Sequence, residues 1–118
     1  MKESHIRKVV LHYEKNGINC AVLLRDILYF VSENRLIFAV TVRGEKLAVQ
    51  GLTLLTILDR YGKYSLVQCH RSYVVNLSHL KRYTRTELLL DGDVQISIGK
   101  RYQTQFRNAL FTYERRDF

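Results

Sequence analysis

Apolar and polar positions alternate with a period of two along most of the first fifty residues, a pattern that predicts strands. Val9, Leu11 and Tyr13 fall on one face of the first segment, and Lys8, Val10 and His12 fall on the other. Asn16-Gly17 predicts a tight hairpin, because both central residues of such a turn take positive φ. The returning segment places Ile18, Cys20, Val22 and Leu24 on one face. Ile27 to Val31 is a third apolar run. Leu36 to Val42 alternates again with β-branched and aromatic residues, and Gly44-Glu45 turns the chain into Lys46 to Gln50. Five strand-like segments thus precede residue 51.

The period then changes. Leu52, Leu55, Leu58 and Tyr61 recur every third residue, Leu54 and Ile57 widen the stripe, and Gly62 ends it, which predicts a short helix. Strands are expected again at Leu66-Val67-Gln68, Leu80 to Tyr83 and Glu87 to Leu90. Asp91-Gly92 marks a second hairpin, and Val94, Ile96 and Ile98 alternate beyond it. From Lys100 onward Tyr102, Phe106, Ala109, Leu110 and Tyr113 fall at helical spacing. With no repeat, no linker and no proline in its 118 residues, the chain is expected to be one mainly β domain with two short helices.

Composition narrows the class. An apolar share of 47% is enough for a buried core. No run approaches the ~18 apolar residues of a membrane span, and Met1 to His5 has no apolar run behind it, so a cytoplasmic location without membrane insertion is expected. Cys20 and Cys69 lie in apolar, strand-like surroundings and read as buried thiols rather than a disulfide framework. Nineteen Lys and Arg against eleven Asp and Glu give a formal charge of +8. That excess favours polyanionic partners, nucleic acid before an anionic membrane surface.

Signals for catalysis are lacking. His5, His12, His70 and His79 form no H-x-x-x-H pair, and there is no C-x-x-C, so no metal site is expected. Cys69 and His70 are sequence neighbours on a strand and point to opposite faces, a poor nucleophile–base pair. The six glycines are scattered through turns instead of forming a phosphate loop. The expectation is a binding protein without a cofactor, not an enzyme.

Cationic and amide side chains instead gather at the ends of elements. Asn34-Arg35 lies between two strand-like runs, His70-Arg71-Ser72 follows Leu66-Val67-Gln68, and Gly99-Lys100-Arg101 joins a strand to the last helix. Arg and Lys can reach guanine O6 and N7, Asn can pair with adenine, and Ser can bind phosphate. The helix start near Lys100 adds backbone N–H groups for a phosphate oxygen.

The run Val67-Gln68-Cys69-His70-Arg71-Ser72-Tyr73-Val74-Val75-Asn76-Leu77, preceded by a helix beginning at Gly51-Leu52, resembles the signature of the LytTR DNA-binding domain of bacterial transcriptional regulators. Asp26 to Phe30, Glu87 to Gly92 and Ile96 to Tyr102 match further pieces in the family's order, so the resemblance covers about residues 6–113. It implies an elongated, multi-stranded antiparallel β-structure without a helix-turn-helix, reading double-stranded DNA through loops that enter successive major grooves. It also implies two protomers on a direct-repeat promoter site, with DNA bending, and a receiver domain elsewhere in the regulator. A stand-alone chain and a fragment are both compatible with the sequence.

Carried onto this chain, the reading loops are Asn34-Arg35, His70-Arg71-Ser72 and Lys100-Arg101. Arg71 is expected at a base edge, followed by Asn34 and Lys100, while Arg35 and Arg101 are expected on phosphates. Tyr73 and Val75 are expected in the core, Asn76 on the backbone of its own turn, and His70 either orienting the loop or touching phosphate. Gly99 and Lys100 depart from the Ser and Arg common in the family. The change removes a hydroxyl and a bidentate fork and weakens the case for base reading there. Two alternatives stand beside duplex reading. One is RNA or single-strand binding, which would need exposed aromatics for stacking. The other is a protein-interaction module, for instance one held by a membrane-bound inhibitor protein, using Tyr113 to Phe118 with Arg115 and Arg116.

Overall fold

A computed structural model describes residues 9–116, with side chains described up to residue 113. Lys8 and the side chains of Arg115, Arg116 and the rest of the proposed inhibitor-binding segment after Tyr113 therefore lie outside the described residues. The strands are β1 (Val10–Lys15), β2 (Ile18–Leu23), β3 (Ile27–Glu33), β4 (Leu36–Thr41), β5 (Lys46–Ala48), β6 (Leu66–His70), β7 (Tyr73–Asn76), β8 (Leu80–Tyr83), β9 (Glu87–Leu90) and β10 (Val94–Ser97). Helix α1 is Leu54–Tyr61 and helix α2 is Gln103–Arg116. The strands form an antiparallel pair β1-β2, a five-stranded sheet in the order β5-β4-β3-β7-β6, and a three-stranded sheet in the order β10-β9-β8. The principal dimensions are 40 × 35 × 26 Å.

The five-stranded sheet is the middle layer. Phe30, Ala39 and Val74 lie in register across β3, β4 and β7 on one face, where they pack with Leu11, Leu24, Leu54 and Ile57. Val67, Cys69 and Val75 belong to the other face and pack against Leu88, Leu90, Ile96, Ile98, Phe106 and Leu110. The two cores thus fix α1 and the β1-β2 pair on one side, and α2 with the three-stranded sheet on the other.

Asn76 ties the layers together. It is fully buried. Its Nδ2 donates to the Leu24 and Ile27 carbonyls at 3.3 and 3.0 Å, while Oδ1 accepts from Ser65 Oγ, Ser78 N–H and Ser78 Oγ. The bond to its own turn is there, through Ser78, and the two bonds to Leu24 and Ile27 reach across about fifty residues of sequence. His79 makes a second tie, lying 2.9 Å from Asp91 Oδ2 and 2.6 Å from the Arg25 carbonyl.

Five local expectations change. Leu55 is 76% exposed, although it fitted the three-residue stripe. Residues three apart slip by about 60° per step around a helix, so the eight-residue α1 buries Leu54 and Ile57 with Leu58 and Tyr61 half-covered, and Leu55 falls outside that arc. Thr53 caps this helix by accepting from Thr56 N–H at 3.0 Å, which leaves Leu52 buried ahead of the helix instead of within it. Ile18 is 66% exposed and Cys20 only half-buried, because the β1-β2 ribbon leaves the core towards its turn; of the two free thiols only Cys69 is buried. The segment after Gln68 continues as strand to His70 and returns as β7, a hairpin the sequence pattern did not separate from the signature run. The last helix starts with a 3-10 turn at Lys100–Tyr102 before α2 proper.

Candidate nucleic-acid interface

Two hairpin tips share one end of the five-stranded sheet. β3 runs out to Glu33 and returns from Leu36 as β4, and β6 runs out to His70 and returns from Tyr73 as β7. Val31 faces Tyr73, and the Ser32 N–H donates to the Ser72 carbonyl at 2.9 Å, so the Asn34-Arg35 and Arg71-Ser72 turns project side by side. Their centres are two strand spacings apart, about 10 Å.

The first tip is a turn with both central residues left-handed, Asn34 at φ 50° and Arg35 at φ 68°. The β1-β2 turn has the same geometry with Asn16 at 52° and Gly17 at 81°. Asn and Gly are the residues this turn favours, whereas an arginine there carries its Cβ against backbone in a region that disfavours L side chains. Backbone strain of this kind is tolerated where the surrounding hairpin fixes the turn, and it is often found at functional positions.

The second tip is braced from inside. The Ser72 N–H donates to His70 Nδ1 at 3.1 Å, so the neutral ring carries its proton on Nε2. The His70 ring meets Tyr73 edge-on at 5.5 Å, and Tyr73 in turn lies 5.9 Å from Tyr29. A bulge between Gln68 and His70 buries Cys69 and leaves His70 half-exposed beside it. Burial pushes the Cys69 thiol up to about 12, so it is neither a nucleophile nor a metal ligand at neutral pH. Gln68 Nε2 donates to the Arg71 carbonyl at 3.5 Å, and Gln105 Nε2 of α2 donates to the Gln68 carbonyl at 3.3 Å.

The third segment joins the same end through the backbone. The Gly99 N–H donates to the Cys69 carbonyl at 2.8 Å, which lays residues 98–99 beside the outer end of β6. A Cβ on Gly99 would stand 3.2 Å from Tyr102 Cδ2 and 3.7 Å from His70 Cδ2, so the glycine lets the Tyr102 ring close over the segment. Its φ of −61° is ordinary; the close approach, not the backbone angle, is what favours glycine here. His70, Arg71, Gly99, Lys100, Arg101 and Tyr102 line one open cleft. The first tip, the second tip and the Gly99 segment thus follow one another along this end of the molecule.

Among the described residues, Arg35, Arg71, Lys100 and Arg101 are exposed and make no ion pair. The nearest acid in sequence to the first tip, Glu33, is held by Lys46 at 2.7 Å. Four cations therefore face solvent without compensation at one end of the molecule. No cluster of three His, Cys, Asp or Glu side chains suited to a metal is present among the described residues.

A profile of the LytTr DNA-binding domain matches residues 18–111. The chain belongs to the LytTR family. The transcriptional regulatory protein BtsR of Escherichia coli strain K12 is 25% identical over 92 residues, which cover 74% of this chain and 37% of that protein. The protein of the same name from Shigella flexneri matches to the same extent. This LytTR chain thus spans little more than a third of the length of those curated relatives. A solved LytTr DNA-binding domain from Bacillus cereus, belonging to a protein described as a methyl-accepting/DNA response regulator, shares the fold with a TM-score of 0.73 at 20% identity, covering 87% of this chain and 97% of that one.

Every residue singled out from the sequence lies on this end of the LytTR domain: Asn34 and Arg35 on the first tip, His70, Arg71 and Ser72 on the second, Lys100 and Arg101 on the third segment. The sequence reading missed the supports, Gln68 and Gln105. Gln68 had a signal of its own, a polar residue between the buried Val67 and Cys69. Gln105 lies on the polar side of a helix and nothing in the sequence points to its partner.

Proposed function

We propose that this domain binds double-stranded DNA in a sequence-dependent manner, as the DNA-reading part of a transcriptional regulator. The observation that carries the reading is the alignment of three turns, with four unpaired cations, at one end of a braced sheet. Arg71 is assigned to a base edge, because its turn is the most rigidly held and a guanidinium can grip guanine O6 and N7 together. Asn34 reads beside it. Arg35 and Arg101 neutralise phosphates, and Lys100 adds a point charge without a fork.

His70 is a positioning residue in this reading. It fixes Ser72 through Nδ1 and leaves its Nε2 proton for a phosphate oxygen. Three turns side by side at one end of the sheet support loops entering successive major grooves of a bent site. Two protomers on a direct repeat, joined to a signal-receiving part of a longer regulator, complete the proposal. The names of the BtsR relatives and of the Bacillus cereus protein support that last step.

Selection of bound duplexes from a random pool tests the reading. Recovery of one motif repeated at about one helical turn is expected. A pool that stays random, or displacement of duplex by single strands at equal concentration, overturns it.

A further inference from the structure

The β8-β9 turn lies on the same end as the three turns, and no reading of the signature includes it. The Ile98 N–H donates to the Thr86 carbonyl at 2.8 Å, one residue before Gly99 bonds to Cys69. At this end residues 98–99 bridge β6 and β9, so the row of tips continues past Gly99. The β8-β9 turn therefore stands next to Gly99 at this end, on the side away from β6.

The turn is rigid. The Thr84 N–H donates to the Glu87 carbonyl at 2.8 Å, and Thr84 Oγ1 accepts from the Thr86 and Glu87 N–H groups at 3.3 and 3.2 Å. Arg85 sits at its tip. Facing it across an open groove is the first part of α2, and the groove is lined by Tyr83, Thr84, Arg85, Gln103, Phe106 and Arg107. Tyr83 and the buried Phe106 meet edge-on at 6.0 Å and form its apolar floor. Among the described residues, Arg85 and Arg107 make no ion pair. The carboxylate nearest in sequence, Glu87, is bonded to Gln95 Nε2 at 2.6 Å.

We propose that this groove binds a backbone phosphate of the DNA, gripped between Arg85 and Arg107, as a fourth contact at the outer end of the row. The proposal rests on the DNA reading above. Two guanidinium groups over an apolar floor offer charge-assisted hydrogen bonds to a phosphodiester. They offer no route to a base edge, because the turn lies outside the three tips that reach the groove. The contact therefore adds affinity and fixes register without adding specificity.

The test is the double variant Arg85→Gln with Arg107→Gln. Both residues are exposed, so an unchanged thermal melt is the check that the fold is retained. Duplex affinity is measured against salt, on a selected site and on random duplex. The variant is expected to lower the salt slope by about one, the value for one lost phosphate, which corresponds to roughly eightfold weaker binding at 0.1 M salt. The loss should be equal on both duplexes. Ethylation of one phosphate at the outer end of the site should weaken the wild type and not the variant. An unchanged slope and affinity overturn the groove while leaving the three-turn reading intact. A loss confined to the selected site overturns the phosphate assignment. A wild type that binds no duplex overturns both.

Discussion

Replacing Arg35 by glycine should make the domain more stable and a weaker DNA binder. Arg35 holds φ at 68° in a turn whose twin, Asn16-Gly17, has glycine at the same position. A left-handed L residue costs about 1–2 kcal/mol, and glycine gives back about 0.4–1 kcal/mol through the freedom it adds to the unfolded chain. The net gain is about 0.5–1 kcal/mol, or a rise of roughly 2–5 °C in Tm for a domain of this size. Removing one phosphate cation should meanwhile lower the salt slope by about one and weaken duplex binding about eightfold at 0.1 M salt. Thermal melts and salt-dependent titrations on one preparation measure both. The converse change, Gly17→Ala, puts a side chain into the twin turn and should cost about 0.5–1 kcal/mol by the same balance. A variant Arg35→Gly that melts at or below the wild-type temperature refutes the strain argument. One that binds DNA with the wild-type slope removes Arg35 from the interface.

Further expectations concern the interior. Asn76→Ala strips a buried hub of five hydrogen bonds and should cost about 2–6 kcal/mol in urea unfolding, from ~1–3 kcal/mol for each of the two stranded carbonyls of Leu24 and Ile27, while Ser65 and Ser78 regain partners from water. Asn76→Asp, which sets a carboxylate oxygen against the Leu24 and Ile27 carbonyls, should cost at least as much; a milder loss would contradict the assigned amide orientation. Cys20 should react with iodoacetamide in the native state at pH 8 while Cys69 reacts only on unfolding, and mass spectrometry of the alkylated peptides would reveal the reverse order. Because Cys69 ionises later in the folded than in the unfolded chain, and burial shifts Tyr13 and Tyr29 upward too, unfolding takes up no proton but releases them at high pH. Stability should therefore hold through neutral pH and fall as pH rises above about 9, by up to ~1.4 kcal/mol per pH unit for the buried Cys69, the partly exposed tyrosines adding less. A urea midpoint that climbs between pH 9 and 10 would contradict this.

Much of the fold was legible because period-two alternation and turn chemistry are local. Asn16-Gly17, Asp91-Gly92 and the Phe106/Leu110 face of α2 needed only neighbours in sequence. Leu55 was misplaced because a three-residue spacing looks helical while drifting around the helix, and only the capped start at Thr53 decides which arc is buried. The β6-β7 hairpin was hidden because its turn is Arg71-Ser72, without glycine, asparagine or aspartate, and its conformation is held by His70 and Ser32 instead. The candidate site was legible as three separate clusters. Their convergence was not, since it depends on the β3-β7 register and on two single bonds, Gly99 to Cys69 and Ile98 to Thr86, that join residues far apart in sequence.

The central claim, that the three turns read sequence, is tested most directly by Arg71→Ala. The measurement is the ratio of affinities for the selected site and for random duplex at fixed salt. Loss of a bidentate base contact should shrink that ratio by about 1–3 kcal/mol, roughly five- to 150-fold, mostly through the selected site. A variant that keeps the wild-type ratio would contradict the account.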